Sequence, residues 1–261
     1  MDKQSSIWIH GLSGKMGQEV QVCTNAHKSV YFAGGSSRVL QYDGKLGLEK
    51  TNKDTLASAL SEISPSILID FSTISGNQLL LDSLQTYTKP LAVVVGTTGL
   101  EASTVSNWRS LVKKRPHIHL LIAPNTSIGV ALTLKAALSV AGILVENDFD
   151  IEIVESHHRR KVDAPSGTAK YLAEGVAKGV GGLELTTDHQ GKRKPHTIGI
   201  HAIRGGGIYG EHEIRFISED EELKISHRSF GRKLFANGAL NLGLWLMKKE
   251  AGAYGLEDVG N

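Results

Sequence analysis

Apolar residues run in short unbroken stretches through the first half of the chain. Ser6–His10, Val30–Gly34, Ser66–Phe71, Leu91–Val95 and His119–Ala123 each form such a stretch, and small residues or proline close most of them. Continuous apolar runs of this length predict parallel strands covered on both faces, since a strand with one wet face would alternate. Between them, residues 18–25, 55–60, 76–86 and 103–114 carry helical spacing. Strand and helix alternate, which predicts a doubly wound α/β domain.

After Pro124 the pattern changes. Residues 127–144 predict one long helix, 151–155 an alternating strand, and 166–178 a helix with Ser166 as N-cap. Residues 181–195 are polar and loop-like. Three strands then crowd together at 197–204, 211–217 and 222–227. A last helix is expected over 233–250, because Leu234, Ala239, Leu242, Trp245 and Leu246 recur at helical spacing. This second part reads as α+β.

Composition narrows the function classes. The chain has 261 residues, 40% of them hydrophobic, and a formal net charge of +2. That size suits one large domain or two modest ones. The near-neutral balance gives no polyanion-binding field, so nucleic acid is not an expected partner. The basic runs at 113–115, 159–161 and 192–194 read as solvated faces. A single cysteine, Cys23, excludes an internal disulfide and a cysteine-based metal cluster, and reads as a buried inert thiol. No basic segment leading into an apolar one opens the sequence, and no apolar run approaches the ~20 residues that span a bilayer. A cytoplasmic protein without membrane contact is expected.

Gly11, Gly14 and Gly17 lie where the first strand turns into the first helix. Gly11 would allow the turn, Gly14 the approach of a pyrophosphate to the helix N-terminus, and Gly17 close helix–strand packing. Ser13 replaces the usual middle glycine, and a plain glycine-rich turn is the competing reading. The second strand ends in Gly35-Ser36-Ser37-Arg38, with no acid for a ribose 2′-hydroxyl and with an arginine able to pair a 2′-phosphate. NADPH is therefore expected to bind at least as well as NADH. Gly96-Thr97-Thr98-Gly99 and Pro124-Asn125-Thr126 also follow strands directly. Each is a candidate nicotinamide or ribose loop, or an ordinary turn.

The densest chemistry lies in Glu155-Ser156-His157-His158-Arg159-Arg160-Lys161-Val162-Asp163-Ala164-Pro165-Ser166-Gly167-Thr168. A histidine suits proton transfer near neutral pH, and a lysine of lowered pKa does as well. Asp163 is placed to orient one of these groups. The backbone N–H groups of Gly167 and Thr168 would open a helix and favour a carboxylate. A wet surface loop is the competing reading. No cysteine or spaced third histidine accompanies the pair, so no metal is expected there.

Taken together, Gly11-x-x-Gly14-Lys15-Met16-Gly17, Val95 to Gly99, Ala123-Pro124-Asn125, Glu155 to Ala169, Arg204 to His212 and Phe235 to Ala239 resemble the 4-hydroxy-tetrahydrodipicolinate (dihydrodipicolinate) reductase family. The resemblance spans the chain, and the His-His-x-x-Lys-x-Asp-Ala-Pro-Ser-Gly-Thr string carries most of its specificity. It implies a Rossmann-like nucleotide domain of residues 1–125 and 233–261, and a central α+β substrate-binding and tetramerisation domain of 126–232. It implies NAD(P)H binding by Gly11, Leu12, Ser13, Gly14, Lys15, Met16, Arg38, Gly96, Thr97, Thr98, Ala123, Pro124, Asn125 and Thr126. His157 and Lys161 become the proton-transfer residues, and His158, Gly167 and Thr168 the grip on a dicarboxylate substrate. The assembly becomes a homotetramer, and the reaction a reduction on the diaminopimelate route to lysine. Many members carry an acid at the position of Ser37, which bears on use of NADH. Thr126 stands where relatives often have phenylalanine. The rival readings are another two-domain NADP-linked dehydrogenase and a non-catalytic NADP-binding protein. An aldehyde-type enzyme would need a catalytic cysteine, which Cys23 in the first helix does not supply. A sensor would have no use for His157 and Lys161.

Overall fold

The computed structural model describes residues 4–42 and 45–259. The chain divides into two compact units, Met1–Ser127 with Arg232–Asn261, and Ile128–Gly231.

The first unit contains β1 (Ser5–His10), α1 (Lys15–Ala26), β2 (Val30–Ser36), β3 (Val39–Tyr42), β4 (Lys45–Lys50), α2 (Lys53–Ile63), β5 (Ile67–Asp70), α3 (Ile74–Ser83), β6 (Leu91–Val95), α4 (Ala102–Lys114) and β7 (Ile118–Ile122). The second contains α5 (Ile128–Glu146), β8 (Asp150–His157), α6 (Gly167–Val180), β9 (Glu184–Thr186), β10 (Thr197–Arg204), β11 (Glu211–Ile217) and β12 (Glu222–Arg228). The chain then re-enters the first unit as α7 (Lys233–Leu246) and β13 (Ala253–Tyr254).

The strands of the first unit lie in the order β13-β7-β6-β5-β1-β2-β3-β4. β1 pairs in parallel with β2 on one side and β5 on the other. Chain order therefore reverses beside β1, and this switch point lies where the Gly11 turn leaves the sheet. The apolar runs are continuous because both sheet faces are covered. Trp8, Leu68, Val93 and Leu120 sink into a cluster with Leu56, Leu60, Leu80, Leu84 and Trp108. α7 closes against β5, where Gly243 leaves room for the Ile67 side chain. Cys23 is a free, buried thiol on α1, and burial, then the nearby Glu19, push its pKa up.

Local chemistry sets several element ends. Asn52 accepts from the amides of Asp54 and Thr55 while the Thr55 hydroxyl accepts from the Asn52 amide, a reciprocal cap that starts α2 two residues before the expected position. The hairpin arm β3 carries only one short apolar pattern, and sequence periodicity does not reveal it. Its Tyr42 ring lies 5.8 Å from that of Trp8 and supplies the missing reason. The last helix stops at Leu246, short of the expected 250, and Trp245 packs edge-on against Tyr254 of β13 at 5.6 Å.

The second unit is a mixed sheet, β12-β11-β8-β10-β9, with α5 and α6 on one face. Val130, Leu134, Ala137 and Ala141 of α5 bury against Ile151, Ile153, Ile198, Ile214 and Phe216. At about 1.5–3 kcal/mol for each large side chain fully buried, this face holds the helix in place. α5 corrects one expectation. It has 19 residues and a hydropathy of 2.1, enough by length and composition to cross a bilayer. Counting unbroken apolar residues missed it because Thr133, Lys135 and Ser139 interrupt the run without interrupting the helix. The opposite sheet face carries ion pairs, among them Arg193 with Asp150 and Glu152, and Arg215 with Glu213 and Glu222.

Candidate active site

β8 alternates, with Ile151, Ile153, Glu155 and His157 on its buried side. Two-residue spacing therefore puts a carboxylate and an imidazole side by side on the helix-covered face. Glu155 is 0% exposed. Its Oε2 accepts from His157 Nδ1 at 2.6 Å and from Arg204 Nη1 at 2.8 Å. Its Oε1 accepts from Arg204 Nη2 at 2.6 Å and from the Ser166 amide at 2.9 Å. Burial alone would raise its pKa, but the bonds from His157, Arg204 and the Ser166 amide outweigh burial and hold it at about 2. The same carboxylate raises the pKa of the Arg204 guanidinium.

His157 uses Nδ1 on Glu155, so Nε2 is the nitrogen left for other chemistry. Gly210 lies against that edge: a Cβ there would sit 3.1 Å from Nε2, and its φ of +156° disfavours a side chain. The His212 ring meets His157 edge-on at 5.2 Å, and its Nε2 lies 3.2 Å from the Ser166 hydroxyl. Burial, then the charge of His157, push the His212 pKa down to about 3, so it stays neutral.

The turn after β8 brings the other candidates together. Lys161 Nζ pairs with Asp163 Oδ1 at 2.9 Å, and the Lys161 amide bonds the His158 carbonyl at 3.0 Å. Burial opposes ionisation of Asp163, but Lys161 and the Gly167 amide overcome it and lower its pKa. A carboxylate thus already rests between the Lys161 ammonium and the first turn of α6. Ser166 caps α6 by accepting from the Ala169 amide at 3.2 Å. Gly167 is exposed, and no atom lies within 4 Å of where its Cβ would be. His158 is half-buried and its Nδ1 is buried with no hydrogen-bond partner among the described residues. Arg159 and Arg160 are exposed.

In the first unit the candidate loops follow the carboxyl ends of β1, β2, β6 and β7. Gly11 has φ +88°, and a Cβ there would lie 2.6 Å from the Phe71 carbonyl oxygen, so only glycine fits this turn. Gly14 is the N-cap of α1, no side chain caps that helix and no acid lies in its first turn. An anion therefore meets no competing carboxylate at this helix start. The Ser13 amide donates to the Ser37 hydroxyl at 2.8 Å and ties the loop to the end of β2. Ser13, Gly14, Lys15 and Arg38 are exposed, Met16 is half-buried, and Leu12 turns into the core.

Two candidates direct their side chains inward. Thr97 donates its hydroxyl to Asp70 Oδ2 at 2.8 Å, and the fully buried Asp70 also takes Asn77 Nδ2 at 2.7 Å. Thr126 donates to the Phe235 carbonyl at 2.7 Å and is 1% exposed. Only backbone remains at these positions for a ligand. Gly96 packs on the Phe71 ring, Thr98 and Pro124 are exposed, Ala123 is buried, and Asn125 Oδ1 accepts from the Ser127 amide at 2.9 Å. Sequence reasoning gave Glu155 no role and did not single out Arg204 or His212. The available signal was a glutamate at a core-facing position of an alternating strand, which demands a buried cation partner.

Glu152, His189 and His201 also bring three metal-type ligands within 4.8 Å of one another. The two rings stack at 3.9 Å and 16°, so their in-plane lone pairs do not converge on one point, and Glu152 is held by Arg193 at 3.0 Å. The cluster as arranged is an ion-pair network.

Residues 5–126 match the family model described as "Dihydrodipicolinate reductase, N-terminus", and residues 129–259 match "Dihydrodipicolinate reductase, C-terminus". The chain is 36% identical to the 4-hydroxy-tetrahydrodipicolinate reductase of Zymomonas mobilis, with 99% of each chain covered. It is 37% identical to that of Alkaliphilus metalliredigens, covering 97% of this chain and 98% of the other. Among solved structures it resembles dipicolinate-bound dihydrodipicolinate reductase from Paenisporosarcina sp. TG-14, with a TM-score of 0.73 at 24% identity over 98% of this chain and 99% of the other. With both halves of the chain matched in order, it belongs to the dihydrodipicolinate reductase family, NAD(P)H-dependent oxidoreductases that reduce 4-hydroxy-tetrahydrodipicolinate in the diaminopimelate route to lysine.

Proposed function

We propose that this chain uses NADPH at least as well as NADH, holds it with the loops that follow β1, β2, β6 and β7, and reduces a cyclic dicarboxylate gripped by the turn between β8 and α6. Bound at those loops, the nicotinamide would supply the hydride for the reduction. The residues of the turn supply the rest. His158 and the Gly167 and Thr168 backbone hold one carboxylate, and Lys161 adds a cation. His157 and Lys161 deliver the proton that completes the reduction, a role worth about 10²–10⁴-fold.

The observation that carries this reading is the Asp163 carboxylate resting on the Lys161 ammonium and the Gly167 amide. It marks a corner where a carboxylate is stabilised, in the turn that follows His157. The dipicolinate-bound relative has a pyridine dicarboxylate as its ligand, which has the same chemistry. For the cofactor, support comes from the β2 end: Ser37 is occupied with Ser13, Arg38 is exposed, and no acid lies between Ser36 and Arg38 to repel a 2′-phosphate. The charged open face of the second sheet is the surface by which copies pair into a tetramer, and the working compartment is the cytoplasm.

Calorimetric titration with pyridine-2,6-dicarboxylate tests the grip. Gly167→Ala, which meets no protein atom, and His158→Ala each weaken binding at least about tenfold, or about 1.4 kcal/mol. Wild-type affinity in both variants removes the assignment.

A further inference from the structure

We propose that Glu155, clamped by Arg204, is a positioning residue for proton transfer: it fixes the proton of His157 on Nδ1 and presents Nε2 alone to the substrate. The inference rests on reading His157 as a proton-transfer group and names the device that orients it.

A carboxylate with no exposed surface is costly unless it is paired and hydrogen-bonded. Glu155 meets that cost with four donors drawn from three places in the fold. His157 Nδ1 comes from its own strand, the Arg204 fork from β10, and the Ser166 amide from the turn before α6. The Arg204 fork occupies both oxygens, so the carboxylate cannot rotate away from the imidazole. An ionised carboxylate only accepts, so the hydrogen between Glu155 and His157 belongs to Nδ1. A histidine held in this way has one tautomer, and its second nitrogen is the reactive one.

The surroundings agree with a device aimed at Nε2. Gly210 leaves that edge of the ring without a side chain. The groups facing His157 are Glu155 on its own strand, Arg204 on β10 and His212 on β11, with Lys161 in the turn that follows. His212 is buried and touches Ser166, so it contributes no charge at neutral pH. Arg204 also donates to the Asp163 carbonyl at 2.7 Å, which links the clamp to the turn that carries Lys161. A merely structural ion pair between β8 and β10 would not need the imidazole as third partner.

The test compares wild type, Glu155→Gln, Glu155→Asp and His157→Ala, with enzymatically generated substrate and NADPH. Glu155→Gln is expected to lower kcat by about tenfold or more while pyridine-2,6-dicarboxylate affinity stays within about twofold. Removing the anion beside His157 is expected to move the alkaline limb of the kcat/KM profile to lower pH. Glu155→Asp restores part of both. A structural defect would lower activity and leave the limb in position, and that result overturns the proposal. Full turnover in His157→Ala would instead remove the reading of His157 itself. Nitrogen NMR of wild-type histidines gives an answer even where a variant fails to fold. The neutral ring of His157 is expected to carry its proton on Nδ1, and a proton on Nε2 overturns the proposal.

Discussion

The Glu155 clamp has a second consequence, in stability. Its pKa falls from an ordinary 4.5 to about 2, and the group has no exposed surface to screen it. At 1.36 kcal/mol per pH unit, this corresponds to stabilisation on the order of 3 kcal/mol at pH 7. The folded value lies below the unfolded one, so the contribution is complete well above pH 4.5 and drains away as pH falls toward 2. About 2 kcal/mol of it remains at about pH 3.5. The unit that holds Glu155 must be read directly, because Trp8, Trp108 and Trp245, the three tryptophans of the chain, all belong to the other unit. Tryptophan fluorescence would miss the effect. Amide hydrogen exchange in β8 and β11 reports it. The difference in protection between wild type and Glu155→Gln should shrink by about 1 kcal/mol between pH 7 and pH 3.5. A difference that stays constant over that range refutes the charged, clamped state of Glu155.

Other outcomes follow from the same contacts. Replacing Arg38 with alanine should weaken NADPH binding about tenfold and leave NADH nearly unchanged, while Ser37→Asp should shift preference toward NADH; equilibrium titrations of both cofactors check this. Thr126→Val removes the bond to the partly buried Phe235 carbonyl. It should cost about 1 kcal/mol in the first unit, where the tryptophans make urea unfolding visible. Light scattering should give four times the chain mass, and charge reversal at Arg215 should lower it; a monomer at micromolar concentration would contradict the packing assigned to the open sheet face.

Much of the fold can be read in the chain because one physical signal, continuous apolar runs, maps onto strands buried on both faces. The runs around Ile7, Ile67, Val93 and Leu120 all become central strands of the first sheet. The β3–β4 arm was not legible, because the four residues of β3 are too few to show a period, and its anchor is the Trp8–Tyr42 contact; residues 43 and 44 lie outside those described. β13 was hidden for the same reason: two residues pair beside β7 and only tertiary packing selects them. At the candidate site, the sequence presents His157, Lys161 and the Ser166 cap within one segment. Arg204, 49 residues from Glu155, and His212, 46 from Ser166, reach it only through sheet pairing. Thr97 and Thr126 are legible as loop residues, but which way their hydroxyls turn depends on Asp70 and on α7.

The central claim is that the turn after β8 completes the reduction with one proton, delivered through the His157 and Lys161 pair. Following NADPH absorbance with freshly generated 4-hydroxy-tetrahydrodipicolinate, alongside NADPH binding, tests it most directly. Wild type should consume NADPH only when substrate is present. His157→Ala and Lys161→Ala should each lose more than about tenfold in kcat with NADPH affinity nearly unchanged. Near-normal turnover in both variants would contradict the account.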